Sequence, residues 1–262
     1  MAEYKGQNHT GYPVNDTQVF ETENVRVTCY DASLPRMVVS FDIWRKDRSG
    51  FPPPKPSGFY KQNGLAYLTI QSAHNDWYLS TDLPKLRKIL SRFTKQFDHI
   101  TALGFSMGGY GALLLSRALH LNQVVLVSPQ SSIFPARAPF DDRYLQEAMR
   151  LDPALDTLAE YPRRGLRGVL LYDPSDMIDT QHTAIITGLY PNIIATPLPF
   201  GGHPATQAIT QANLFAKIQH ELLRRPVRAR EFIRLHKQAR RHSPVYQNRL
   251  SRYLADRNAR AP

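Results

Sequence analysis

One stretch limits what this chain can fold into more than any other: residues 102–115, ALGFSMGGYGALLL. Its first residues extend an apolar run of strand length, and its last residues are an Ala- and Leu-rich run of helical character. Between them, Ser106 sits two residues from Gly104 and two from Gly108. A side chain carried on a tight strand-to-helix turn takes strained backbone angles, so its neighbours must lack bulk. The pattern therefore predicts a strand over 100–105, a sharp turn at Ser106 and a helix over 107–119. The spacing does not fit a dinucleotide Gly-x-Gly-x-x-Gly turn, and no Lys-Ser/Thr follows as a P-loop requires.

The rest of the chain alternates in the same way. The residues at 37–44 (MVVSFDIW), 65–72, 124–128, 168–172 and 192–198 have strand length and apolar content. A further strand-like stretch carries Val19, Val25 and Val27 and ends near Cys29. Residues 81–97 read as a helix with Leu83, Leu86, Leu90 and Phe93 on one face. Helices are also predicted over 180–189 and 205–223. This order predicts an α/β fold, a mostly parallel sheet with helices on both faces. Residues 45–64 contain Pro52, Pro53, Pro54 and Pro56 and predict a semi-rigid loop without helix. Residues 131–166 are mixed and polar, with helical patches, and sit where a cap insertion is expected.

Charge divides the chain unevenly. The net charge is +11, but residues 224–262 hold 12 Lys and Arg against only Glu231 and Asp256, a balance of +10. Three units are predicted: an N-terminal arm over 1–17, a near-neutral domain over 18–223 and a basic C-terminal helical extension over 224–262. Within the extension, Phe232, Leu235 and Ala239 precede a break at Ser243-Pro244, and Tyr246, Leu250, Tyr253 and Leu254 follow it. Two short amphipathic helices are expected, with Arg230, Arg234, Lys237 and Arg241 along one face of the first. Such a face is either simply solvated or meets an acidic protein or anionic surface. It carries no recognised nucleic-acid motif. No apolar run is long enough for a membrane-spanning helix. A lone cysteine, Cys29, and no signal-type segment lead to the expectation of a cytoplasmic protein.

Ser106 alone is a weak nucleophile and needs a base held by an acid. The N–H of Met107 is a candidate oxyanion donor, because it opens the helix beyond the turn. His203, in the loop PFGGHP between a predicted strand and a predicted helix, is the candidate base. The candidate acids lie in LLYDPSDMID, directly after a strand. Asp173 ends that strand and can start a turn with Pro174. Asp179 precedes a helical segment and can cap it. Asp176, at the tip of the turn, is the preferred acid. His182 reads as an exposed helical residue, and Asp141 and Asp142 as surface or capping residues.

With Ser106, an acid and His203 following in that order, the chain resembles the α/β-hydrolase superfamily over residues 18–223. The elbow GFSMGGYGAL is similar to that of the esterase-D-like and feruloyl-esterase branch. The resemblance implies an eight-strand-type sheet and cleavage of a carboxylic ester or thioester through an acyl-enzyme. It also implies a second oxyanion N–H after the third strand. There the family's His-Gly is replaced by SFDIW, so the donor falls to the backbone of Ile43 or Asp42. Trp44, Trp77, Tyr78 and Tyr110 are candidate pocket residues for a small acyl substrate, and Phe134, Phe140, Tyr144 and Leu145 are candidates for closing the site. No metal or cofactor is expected. An acyltransferase with the same three residues, or an inactive binding protein on the same fold, would share these features.

Overall fold

The computed structural model describes residues 16–53 and 55–259. Most of the predicted arm lies outside the described residues, apart from Asp16 and Thr17, which open the first strand. The strands are β1 (Asp16–Glu21), β2 (Val25–Tyr30), β3 (Arg36–Phe41), β4 (Ala66–Ser72), β5 (His99–Phe105), β6 (Gln123–Val127), β7 (Arg167–Tyr172) and β8 (Ile193–Pro197). The helices are α1 (Gly58–Gln62), α2 (Leu83–Phe93), α3 (Met107–Leu114), α4 (Leu145–Ala148), α5 (Met177–Leu189), α6 (Gln207–Gln211), α7 (Phe215–Leu222), α8 (Ala229–Ala239) and α9 (Pro244–Ala259). No helix among the described residues is long and apolar enough to cross a membrane.

The strands form one eight-stranded sheet in the order β1-β2-β4-β3-β5-β6-β7-β8. The β1/β2 and β2/β4 pairs are antiparallel and all the others are parallel. The fold class is as predicted. Along β6, Val124 and Leu126 join one hydrophobic cluster while Val125 and Val127 join the other. The same alternation puts Met37, Val39 and Phe41 of β3 on the first face and Val38 on the second. A strand covered on both faces needs apolar residues at successive positions, which is why β6 reads as an unbroken VVLV after Gln123.

Four local differences from the sequence reading have physical causes. The stretch through Val19 and Cys29 is a hairpin, not one strand. The Asp82 carboxylate ahead of α2 accepts from Thr22 and from Asn24, fixing the turn between its two strands. Helix α1 forms inside the segment expected to be helix-free, because it begins after Pro56 and is capped by Ser57, whose hydroxyl accepts from the Tyr60 N–H. The helix predicted over 205–223 is divided into α6 and α7, with Asn213 at φ 58° between them. Helix α5 begins at Met177, three residues before the predicted start, and this earlier start changes the reading of the acid turn.

The boundary at residue 223 separates charge rather than packing. Phe232, Leu235 and Ala239 of α8 are buried in the second hydrophobic cluster together with Val125, Leu171 and Ile209. The exposed side of α8 carries Arg230, Arg234 and Lys237, and Arg241 just beyond it is also exposed. Helix α9 begins at Pro244, where the Ser243 hydroxyl accepts from the Tyr246 N–H.

Candidate active site

Parallel strands β5, β6 and β7 end on one edge of the sheet, and the site is built where their loops meet. Ser106, after β5, holds φ 47° and ψ −118°, an unfavourable region for a residue with a Cβ. The turn is possible because its flanks are glycines. A Cβ on Gly104 would lie 2.6 Å from the Gly108 carbonyl oxygen, and one on Gly108 would lie 2.8 Å from that of Asp42. The second contact also shows how closely the start of α3 approaches the loop after β3. The Met107 N–H opens α3 beside that loop. Of the two backbone donors considered there, the Asp42 N–H is committed to the Ile70 carbonyl, which leaves that of Ile43. The Ile43 carbonyl accepts from Arg48, and the Tyr78 hydroxyl donates to the Asp42 carbonyl at 3.0 Å, so the loop is braced from both sides.

His203 Nε2 lies 3.3 Å from Ser106 Oγ. On the other side of the ring, Nδ1 lies 3.0 Å from both carboxylate oxygens of Asp179. The expected acid, Asp176, is not there. Its carboxylate accepts from the N–H groups of Ile178 and Asp179 and caps α5. This is a correction to the sequence reading: because α5 starts at Met177, Asp176 becomes the cap and Asp179 falls one turn inside, facing the imidazole. Asp173 has a third task. It accepts from the N–H groups of Ser175, Phe200 and Gly202, holding the His203 loop by its backbone. Arg249 of α9 lies 3.4 Å from the same carboxylate.

Asp179 is fully buried. Burial alone would raise its carboxyl. Hydrogen bonding and charge from His203, the Ser128 hydroxyl and the nearby Arg143 guanidinium outweigh that and hold it below the usual range. Arg143 lies 3.5 Å from Asp179 and forms a two-pronged pair with Asp141, at 2.8 and 2.9 Å. Asp141 in turn receives a hydrogen bond from His182 Nε2 at 2.9 Å. His182 Nδ1 accepts from the Ser131 N–H at 3.1 Å, which fixes the proton on Nε2. His182 and Asp141 are buried, whereas His182 was expected to be an exposed helical residue and Asp141 a surface or capping residue. Asp142 is exposed as expected.

Ser106 has two further neighbours. Gln130 Nε2 donates to its Oγ at 3.0 Å, and Gln130 Oε1 is fixed by the Trp77 indole N–H at 3.2 Å. The Tyr144 hydroxyl is the other: burial raises it, and the Arg143 charge and Ser106 offset part of that rise. The Tyr144 ring stacks edge-on to Trp77 with centroids 4.7 Å apart, and the Arg143 guanidinium lies over it. Tyr144 was among the residues expected to close the site. Gln130 carried no sequence signal, because no motif or period surrounds it.

The aromatic residues expected to line a pocket divide into two groups. Trp77, Tyr78 and Tyr110 are buried scaffold rather than pocket wall. Trp77 holds Gln130, Tyr78 braces the loop at Asp42, and the Tyr110 hydroxyl donates to Asp156 at 2.7 Å. Trp44 is half-buried beside Tyr144, its indole N–H donating to Glu147 at 2.6 Å. Glu147 also borders a cavity of about 660 Å³ whose lining includes Arg48, His74, Asp76, Arg150 and Asp152.

No protein-family model matches the sequence, and a search of curated proteins found no match. Solved structures do match. The capsule O-acetyltransferase of Neisseria meningitidis serogroup A superposes with a TM-score of 0.54 at 16% identity, covering 84% of this chain and 97% of that one. The Glycosylation Associate Protein (Gap123) complex from Streptococcus agalactiae gives a TM-score of 0.50 at 14% identity, covering 79% of this chain and 46% of that one. Est1E from Butyrivibrio proteoclasticus gives 0.45 at 12% identity, covering 76% and 96%. The strand order, with β1 and β2 antiparallel and the remaining pairs parallel, and the strained turn between β5 and α3 are those of the α/β-hydrolase fold.

Proposed function

We propose that the protein cleaves a carboxylic ester or thioester through an acyl-enzyme formed on Ser106. The observation that carries this reading is the unbroken line from Ser106 Oγ through His203 to Asp179, set on a strained turn at the helix start. Ser106 Oγ attacks the acyl carbonyl while its proton passes to His203 Nε2. Asp179 fixes the imidazole with its proton on Nδ1 and stabilises the imidazolium that forms. The carbonyl oxygen becomes an oxyanion, met by the N–H groups of Met107 and Ile43. His203 then returns the proton to the leaving oxygen or sulfur as the acyl bond breaks. Water activated by the same imidazole releases the acid. A fluorophosphonate probe should label the wild type at Ser106 and leave folded Ser106→Ala unlabelled. A folded wild type that resists the probe overturns the proposal.

A second reading is acyl transfer to a hydroxyl acceptor in place of water. It is favoured by the likeness in fold to an acyltransferase. The most similar structure described above is that of an O-acetyltransferase, also solved as a histidine variant with CoA. Incubating acyl donor with and without a polyol acceptor separates the two. Transfer gives an O-acyl product in place of free acid.

A further inference from the structure

At the edge of the sheet opposite Ser106, the amino ends of β3, β5, β6 and β7 come into register. Arg36 pairs with His99, Thr101 with Gln123, and Gln123 with Arg167. Beneath this edge lies a cavity of about 400 Å³. Arg163, Arg167, Arg225 and His99 border it, with Asn122 and Gln123 between them, and none of its lining residues is a carboxylate. Its floor is fixed. Gln123 donates to the Arg224 carbonyl at 2.7 Å and accepts from the Val227 N–H at 3.1 Å, anchoring the segment that carries Arg225.

Several arginines of the neighbouring C-terminal segment find carboxylates: Arg224 and Arg228 on Glu221, Arg234 on Glu231, Arg249 on Asp173. Among the described residues, Arg163, Arg167 and Arg225 have none within ion-pair distance. Arg36, beside them, spends one guanidinium nitrogen on the Leu223 carbonyl, and its Nε is buried without a partner. His99 Nε2 is likewise buried and unpartnered. Burial lowers the His99 imidazole, and the charged neighbours that lower it further, Arg225 and Arg36, are both cations. A set of like charges gathered around one hollow repels itself, and a polyvalent anion in the hollow relieves that repulsion.

We propose that this cavity binds a phosphate-bearing small molecule, with the guanidinium groups of Arg163, Arg167 and Arg225 receiving the phosphoryl oxygens. Guanidinium forks match phosphate oxygens two at a time. The charge present calls for a dianion or more, which a single carboxylate does not supply. The volume lies within the range of small-molecule pockets and exceeds what one phosphate fills, so a phosphate monoester or a diphosphate with an organic body is the class that fits.

Calorimetric titration of the full chain with pyrophosphate and with adenosine monophosphate, at about 0.1 M salt, tests the proposal. Saturable one-to-one binding is expected for at least one of the two. Arg225→Gln and Arg163→Gln should each weaken it about tenfold or more, the usual loss for a charged hydrogen bond. Both side chains lack ion-pair partners and face other cations, so the variants should melt no lower than the wild type. Arg252→Gln, an exposed charge on α9, should leave binding unchanged. In parallel, the His99 imidazole resonances should shift on adding pyrophosphate. The proposal is overturned by the absence of saturable binding. It is equally overturned if Arg252→Gln weakens binding as much as the cavity variants, since that marks general attraction to a basic surface.

Discussion

Asp173, Asp176 and Asp179 stand three residues apart, and each does something different. Asp173 holds the His203 loop, Asp176 caps α5, and Asp179 faces the imidazole. Asp179→Asn should lower hydrolysis of an activated ester by about 10⁴-fold, because an amide stabilises the wrong imidazole tautomer. Asp176→Ala should keep the rate within a few-fold and cost about 1 kcal/mol of stability, as the loss of a helix cap does. Rate and urea-unfolding measurements on the two variants separate the roles, and a large rate loss at Asp176 with none at Asp179 would refute the assignment. Ser106 and His203 stood out in the sequence because Gly104 and Gly108 flank the first, Gly201 and Gly202 precede the second, and each lies between a strand and a helix. The acid did not, because its identity depends on where α5 begins, and a shift of three residues exchanges cap and partner. Gln130 was illegible for a different reason: only folding brings it to Ser106. At the same scale, burial and the neighbouring Asp31 push the Cys29 thiol up to about 12. Native protein should therefore resist iodoacetamide at pH 8, and protein unfolded in urea should react readily.

At the scale of elements, the helix-period residues of α8 were visible in the sequence, whereas its partner was not. Spacing shows that Phe232, Leu235 and Ala239 share a face, but not whether that face meets this chain or another. The structure sets it against the sheet's second cluster, so Phe232→Ala should cost about 3–5 kcal/mol in urea denaturation. A loss below about 1 kcal/mol would mean that α8 is not part of the folded core. The segment over 131–166 is the opposite case. It has little periodic structure because its order comes from buried polar contacts that no hydrophobic pattern encodes. Asp141 joins His182 and Arg143, and Asp156 joins Tyr110 and Ser132. A sequence shows such residues only as polar, and polar residues read by default as surface. Buried, they specify one arrangement, since each depends on its partner to offset desolvation.

Across the whole molecule, these buried carboxylates set how stability responds to acid. Burial alone would raise the Asp141 carboxyl, but hydrogen bonds from His182 and Arg143 hold it far below the ordinary range, and Asp179 is also lowered. A carboxyl lowered in the folded state stabilises fully above its unfolded value of about 4 and loses that contribution as pH falls toward its folded value. Asp76 opposes them: burial raises it, so its protonation on acidification relieves a cost rather than removing a contact. The histidines His99, His120 and His236, lowered by burial, take up protons in the unfolded chain first, so unfolding free energy should decline as pH falls below about 6.5 and fall more steeply below about pH 4, where the two lowered buried carboxyls add to the loss. Asp141→Asn removes one of the two lowered groups. It should be less stable than wild type at pH 7, by about 2–3 kcal/mol for a partly buried charged pair left incomplete. Its curve should then fall less steeply below pH 4, so that the two proteins converge in acid. Urea midpoints measured from pH 7 to pH 3 give both curves. Parallel curves separated by a constant amount would mean that Asp141 is not the lowered carboxylate, and that the ordered segment over the site is held by packing rather than by its charge.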